Sequence, residues 1–197
     1  MNELGFFSDT HLQAFVKSLA GQVTAFVETG TEEGKTTRWA ARYFGNVFTC
    51  DVSLEYLSKA EAALPDHVKL FELNSPNFIY SIRNDAGTFP LFFLDAHWLD
   101  YWPLQDELKT IEAHYHKAVV IVHDCAVPGR HNFWYCRGGG ADHDGPVLNW
   151  EYIKQAIDTA YYRLFYPTYK GETPGYCVLF RECEPFGDLR DLAEAQC

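Results

Sequence analysis

The hydrophobic positions fall into short runs separated by stretches with a helical period. VTAFV precedes TTRWAARYFG, NVFTC precedes SLEYLSKAEAAL, and VKLFEL precedes PNFIYSIRN. FPLFFL is followed by PLQDELKTIEAHYH, and AVVIV by a long loop and then NWEYIKQAIDTAYY. Because the runs are apolar at successive positions, both faces of each strand must be covered. The alternation predicts a largely parallel sheet with helices on both faces. RLFYPTY and YCVLFRE flank KGETPG and read as an antiparallel hairpin at the end of the chain, the sixth and seventh strands. A helix over about residues 9–20 is expected to cap the sheet, so that residues 1–197 form one α/β domain.

One segment breaks this rhythm. Residues 126–148, AVPGRHNFWYCRGGGADHDGPVL, form a loop rich in glycine, aromatics and histidine. Loops this long inside a domain of this size are commonly functional, and the aromatic content predicts one that faces a substrate.

Charge narrows the partners. The formal net charge is −11 with no Lys/Arg cluster, which argues against a nucleic acid partner and for a small molecule. No apolar run approaches the roughly eighteen residues of a membrane span. The N-terminal MNELGFFSDTHLQAF lacks the basic start and apolar core of a signal peptide. The six cysteines show no CxxC pair, and most sit in apolar runs such as VFTC and YCVLF; they read as reduced thiols of a cytoplasmic protein. Oligomeric state is not encoded in any of these patterns.

The candidate chemistry begins at ETGTEEGKTT, residues 28–37. Gly34-Lys35-Thr36 ends like a phosphate loop, but Gly30 and Gly34 enclose three residues where that loop needs four. Glu28, Glu32 and Glu33 would also repel a polyphosphate. The same residues suit a cationic nucleoside. A strand ends in Glu28, Gly30 permits a close backbone approach, and Gly34 permits close helix packing. Asp51, 21 residues after Gly30, ends the next strand, where it can accept hydrogen bonds from both ribose hydroxyls.

At this point the chain resembles the class I S-adenosylmethionine-dependent methyltransferases, in particular the metal-dependent small-molecule O-methyltransferases. VETGTEEGKTT is similar to their first motif and TCDVSLEYL to their second. ELNSPNFI resembles the segment after the third strand; LFFLDAHW and VIVHDCAVPG resemble the ends of the fourth and fifth. The resemblance covers about residues 23–129 and implies a Rossmann-like fold with adenosylmethionine as cofactor. It implies cofactor contacts from Glu28, Gly30, Thr31, Gly34, Asp51 and Asp95, with Asn74 and Ser75 near the adenine. It also implies a divalent metal at the fourth and fifth strand ends, where this chain has Asp95, His123 and Asp124. Members of that family mostly carry carboxylates or an amide at those positions, and His123 departs from the pattern. Two carboxylates and an imidazole favour Mn, Fe, Co, Ni or Zn over Mg.

Such a metal would lower the pKa of an acceptor hydroxyl and orient it towards the methyl group. The family often has a catalytic lysine after the metal-binding aspartate; DAHWLDYW has none, and His97 is the nearest candidate base, with Asp95 and His123 beside it. Trp98, Tyr101, Trp102, Phe133, Trp134 and Tyr135 are candidate walls of the acceptor pocket. DHDG, with Asp142, His143 and Asp144, offers either a further contact or ordinary turn chemistry. His114 and His116 read as helix-end residues.

The leading expectation is therefore methyl transfer to a hydroxyl of a small polar molecule. Two other classes compete. Asp95, His97 and His123 would suit a two-His-one-carboxylate iron oxygenase, which leaves the glycine loop and Asp51 without a role. A nucleoside-binding module without catalysis would account for the missing lysine.

Overall fold

The structure, a computed structural model, describes residues 6–97, 101–137 and 145–196. Trp98, Asp142, His143, Asp144 and Cys197 lie outside the described residues.

Five parallel strands form in chain order: β1 (Phe26–Thr29), β2 (Val47–Asp51), β3 (Val68–Glu72), β4 (Leu91–Leu94) and β5 (Ala118–His123). β6 (Tyr162–Pro167) and β7 (Tyr176–Arg181) form the expected hairpin, with β7 antiparallel to β5. An eighth strand, β8 (Leu192–Ala195), pairs antiparallel with β6, so the sheet has eight strands where seven were expected. Their order is β3-β2-β1-β4-β5-β7-β6-β8.

Every residue of β1, β4 and β5 is buried, as two-sided coverage requires. Alternation divides the core. Val27, Phe48, Phe92 and Val120 face α4 (Ser75–Ser81), α5 (Leu104–His114) and α6 (Trp150–Ile153). Phe26, Val47, Phe93 and Ile121 face α1 (Thr10–Ser18) and α2 (Lys35–Ala40). The remaining helix, α3 (Leu54–Glu61), lies between β2 and β3 in the chain.

Side-chain caps set the helix starts. Asp9 accepts from the Leu12 amide at 2.9 Å, Asn74 from Asn77 at 3.0 Å and Asn149 from Tyr152 at 3.0 Å. Such caps are worth about 1 kcal/mol each. Asp9 does more. Its buried carboxylate also accepts from Tyr169 and, at 3.1 Å, from Thr173, joining α1 to the β6–β7 connection.

The helix expected over NWEYIKQAIDTAYY is shorter than its pattern. α6 ends at Ile153, the Asp158 amide bonds to the Glu112 carboxylate at about 3 Å, and a 3-10 turn (Thr159–Tyr161) leads into β6. Pairing of Tyr162 with Arg181 in the sheet outweighs the helical period there.

The strand order reverses at β1, which has β2 on one side and β4 on the other. In open α/β sheets ligands bind at the carboxyl ends of the strands flanking that reversal. Two glycines shape the backbone there. Gly30 (φ +85°) lies against the end of β4: a Cβ would sit 3.1 Å from the Asp95 carbonyl oxygen and the Ala96 Cα. Gly34 (φ +70°) lies against α3, with a Cβ placed 3.1 Å from that of Ala60. Both glycines thus serve packing inside the protein: Gly30 makes room for backbone of this chain, and Gly34 admits a helix rather than a strand.

Gly30→Ala is expected to destabilise the protein by about 1–3 kcal/mol, combining left-handed strain with a collision against backbone. Gly45→Ala, at an exposed position with open space around it, should stay within about 0.5 kcal/mol of the parent. Urea midpoints of the two variants check this; equal midpoints would remove Gly30 from its packing role.

Candidate functional site

The loop after β1 is tied to β2 by backbone and side chains together. The amides of Gly30 and Thr31 both donate to the Cys50 carbonyl at 3.0 Å. The Thr31 hydroxyl meets that of Thr49 at 2.7 Å in the interior. Glu28 is buried as well, and its carboxyl accepts from Thr37 on α2 and, at 2.7 Å, from Thr49 on β2. Burial pushes the Glu28 pKa up to about 8, against the pull of these two hydroxyls. The side chains of Glu28 and Thr31 therefore brace the loop from within.

Asp51 braces the same loop from the rim. One carboxylate oxygen accepts from the Glu32 amide and the other from the Ser53 amide, each at 2.9 Å. Glu32 holds a left-handed backbone (φ +47°) unusual for a residue with a side chain. Each Asp51 oxygen keeps a second lone pair, so the carboxylate can serve the loop and accept from a ligand at once.

Beyond β3, Asn74 spends its side chain on capping α4, and Ser75 is buried with its hydroxyl lacking a partner among the described residues. Beneath it lies a residue that the motif reading missed. Glu107 on α5 is buried, and neither carboxylate oxygen meets a partner at bonding geometry among the described residues. Burial pushes its pKa up to about 7, while the nearby Ser75 and Thr29 hydroxyls pull it partway back. A signal for it exists in the sequence: Glu107 falls on the same helical face as Leu104, Leu108 and Ile111, an acid on an apolar stripe.

The ends of β4 and β5 meet as strand ends sharing one edge must. His123 Nδ1 lies 3.0 Å from Asp95 and 3.3 Å from Asp124, and these three side chains can present ligand atoms within 4.8 Å of one another. His123 is buried against Phe93, with ring centroids 5.4 Å apart, and its Nε2 has no partner among the described residues. Burial opposes a charged imidazole, but the Asp95 charge and the bond to Asp124 outweigh it and hold the His123 pKa well above its ordinary value. Burial likewise opposes the Asp124 charge, and His123 more than compensates, so that carboxyl is held below the usual range. Asp124 also carries a left-handed backbone (φ +58°).

His97 sits on the rim with its side chain 58% exposed and Nε2 4.0 Å from Asp124. It is therefore reachable from solvent. It does not complete the cluster that an iron oxygenase would require: among the described residues Asp95, His97 and His123 do not form one ligand group. The thiol of Cys136, which no motif pointed to, donates to Asp124 at 3.1 Å.

A pocket here is lined by Asp95, His97, Trp102, Glu107, His123 and Asp124. Of the expected aromatic wall, Trp102 faces it and stacks on Tyr152. Phe133 is a core residue packed on Tyr169, Trp134 and Tyr135 are about half exposed, and Tyr101 donates to Asp106. The long loop is stitched down by its backbone: Trp134 exchanges hydrogen bonds with Thr173 and Gly175, and Cys136 with Asp124 and Leu148. His114 packs edge-on to Tyr80, and the His116 carbonyl accepts from buried Arg181, both away from this edge.

The architecture defines a class. This is the Rossmann-like class I methyltransferase fold, with its antiparallel strands at the C-terminal end of an eight-stranded mixed sheet. Solved structures with the same fold include an rRNA methylase from Streptococcus thermophilus (17% identity, 86% of this chain and 93% of that one, TM-score 0.54). A spermidine synthase from Thermotoga maritima shares 10% identity over 91% of this chain and 61% of its own, with a TM-score of 0.60. CalS10, an amino pentose methyltransferase from Micromonospora echinaspora solved with S-adenosylmethionine bound, shares 14% over 84% and 86%, with a TM-score of 0.54. No protein-family model matches the chain, and no curated protein is significantly similar to it in sequence.

The buried acid of the loop carries a pH signature. Glu28 keeps its proton to a higher pH when folded than when unfolded. Between the ordinary carboxyl range and about 8 the folded state therefore binds more protons, and stability falls as pH rises through that window. Glu28→Gln keeps an acceptor for Thr37 and Thr49 and removes the titration. The variant should gain on the parent by up to about 1.4 kcal/mol per pH unit across it. Urea unfolding of both proteins at pH 5 and pH 8 measures the gap; parallel profiles would mean that Glu28 ionises freely.

Proposed function

We propose that the protein is an S-adenosylmethionine-dependent methyltransferase of the cytoplasm that methylates a hydroxyl of a small polar molecule with the help of a divalent metal. The observation that carries this reading is the loop between β1 and α2, held against β2 by Asp51 and against β4 by Gly30 at the point of strand reversal. The fold supports it, since adenosylmethionine occupies one structure that shares it. The spermidine synthase shows that the fold alone does not dictate methyl transfer, so the argument rests on the residues at the edge.

Adenosylmethionine supplies an electrophilic methyl, and a divalent ion supplies Lewis acidity to the acceptor oxygen. The chain does the rest. Asp51 receives the ribose hydroxyls and, with Glu32 and Glu33 nearby, favours a cationic ligand over ATP. Asp95, His123 and Asp124 fit an ion by their spacing and by donor chemistry that two carboxylates and an imidazole share. His97, exposed on the rim, is placed to take the proton that the acceptor loses. Trp102 walls the acceptor side.

A small acceptor is favoured over RNA because a chain of net charge −11 offers no electrostatic footprint for phosphates. No helix among the described residues is long and apolar enough to cross a membrane, and the five described cysteines are free, both in keeping with the proposed compartment. A catalytically silent nucleoside-binding module is the second reading, favoured by the missing lysine in DAHWLDYW.

Calorimetry tests the cofactor and elemental analysis the metal. Adenosylhomocysteine should bind and ATP should not, and Asp51→Ala should weaken binding at least about tenfold, the cost of charge-assisted bonds worth roughly 1.5–3 kcal/mol each. Methyl transfer should disappear on chelation and return on add-back. Full transfer by the metal-free protein would refute the metal; binding of adenosylhomocysteine without transfer to any hydroxyl acceptor would leave the silent module.

A further inference from the structure

The two oxygens of Asp124 do different things. Oδ1 is held by His123 at 3.3 Å, whereas Oδ2 receives the Cys136 thiol at 3.1 Å and lies 4.0 Å from His97 Nε2. A nitrogen, an oxygen and a sulfur thus lie within 4.8 Å of one another. Around a tetrahedral zinc ion, bond lengths of 2.0–2.3 Å place ligand atoms about 3.3–3.8 Å apart, and the observed separations bracket that range. His123 Nδ1, by contrast, is already engaged between two carboxylates.

We propose that His97, Asp124 and Cys136 form a thiolate-containing metal site that takes a zinc-class ion, with the fourth position open to an exogenous oxygen ligand. The proposal rests on the metal clause of the reading above and revises its ligand set: it keeps Asp124, replaces Asp95 and His123, and moves His97 from the role of proton acceptor into the ligand set. Three protein donors and one open position are the arrangement of catalytic rather than structural zinc. Mixed nitrogen, oxygen and sulfur donors select zinc, cobalt or iron and reject magnesium.

The placement of Cys136 is fixed by more than its side chain. Its amide donates to the Asp124 carbonyl at 2.9 Å and its carbonyl accepts from Leu148 at 3.2 Å, so the residue is clamped to the end of β5. The left-handed backbone of Asp124 turns the chain there. The Cys136 thiol donates a hydrogen bond to Asp124. On binding, the S–H bond breaks, a sulfur–metal bond forms and the proton leaves to solvent; nothing is oxidised.

Cobalt(II) is the probe. Titrated into chelator-stripped protein in thiol-free buffer, it should give a thiolate-to-cobalt charge-transfer band that saturates at one equivalent. Zinc should abolish the band and magnesium should not. Cys136→Ser should lose the band and bind zinc at least about tenfold more weakly, and His97→Ala should weaken zinc binding as well. Adenosylhomocysteine binding by both variants reports that they are folded, and proton release on zinc binding gives a readout in the parent alone. Cobalt bound with oxygen and nitrogen donors only, or a charge-transfer band that survives in Cys136→Ser, overturns the proposal and leaves the methyl-transfer reading intact. A band that behaves as expected in a protein that does not bind adenosylhomocysteine does the reverse.

Discussion

A carboxyl group sealed inside the sheet governs this edge of the molecule. Glu28 joins β1 to α2 through Thr37 and to β2 through Thr49, and Thr49 passes the connection on to Thr31. Without acceptors those hydroxyls would be buried polar groups, each costing about 1–3 kcal/mol. With them, three elements converge on one point, and the loop that follows β1 has little freedom left. Asp51 then finds the Glu32 amide, and Gly30 finds the backbone of Asp95 and Ala96. The shape of the rim is decided one layer below it.

The rim itself gathers negative charge. Asp51 ends β2, Asp95 and Asp124 directly follow β4 and β5, and the Glu32 amide rests on Asp51, while Glu33 pairs with Lys35 at 3.5 Å. Between Asp95 and Asp124 stands His123, whose Nδ1 is shared by the two carboxylates. A sulfonium, an ammonium or a metal ion entering from solvent meets a field already arranged to receive positive charge, with reorganisation confined to a few side chains.

Much of this was legible in the chain. The apolar runs that feed β1, β4 and β5 read as strands covered on both faces, and parallel strands send their ends to one edge, so the acids that follow β4 and β5 had to meet there. β8 was hidden because LAEA is short, carries an acid and two alanines, and is only partly buried at the outer edge. α6 was overdrawn because a helical period in NWEYIKQAIDTAYY persists through residues that the sheet claims. Glu28 was readable as an acid near the ligand loop but not as one turned inward, since the threonines that hold it come from two other elements. Cys136 left no trace because the backbone bonds that hold it at Asp124, its own to Asp124 and Leu148 and those of neighbouring Trp134 to Thr173 and Gly175, join segments far apart in sequence.

The clamp at Asp9 joins positions separated by 160 residues. Its second partner, Thr173, is the residue whose carbonyl accepts from Trp134 in the long loop. A load path therefore runs from the first long helix, through the β6–β7 connection, to the segment that carries Cys136. Such a path closes only after the far end of the chain has been made, because long loops must be closed before their contacts reward it. During synthesis on the ribosome the edge formed by β1, β2 and β4, which ends by Leu94, has all its parts before the segment that carries Cys136 has anything to fasten to. The molecule thus assembles the edge around Glu28 and Asp51 from early sequence and fastens the segment around Cys136 with late sequence, with one buried aspartate as the latch between them.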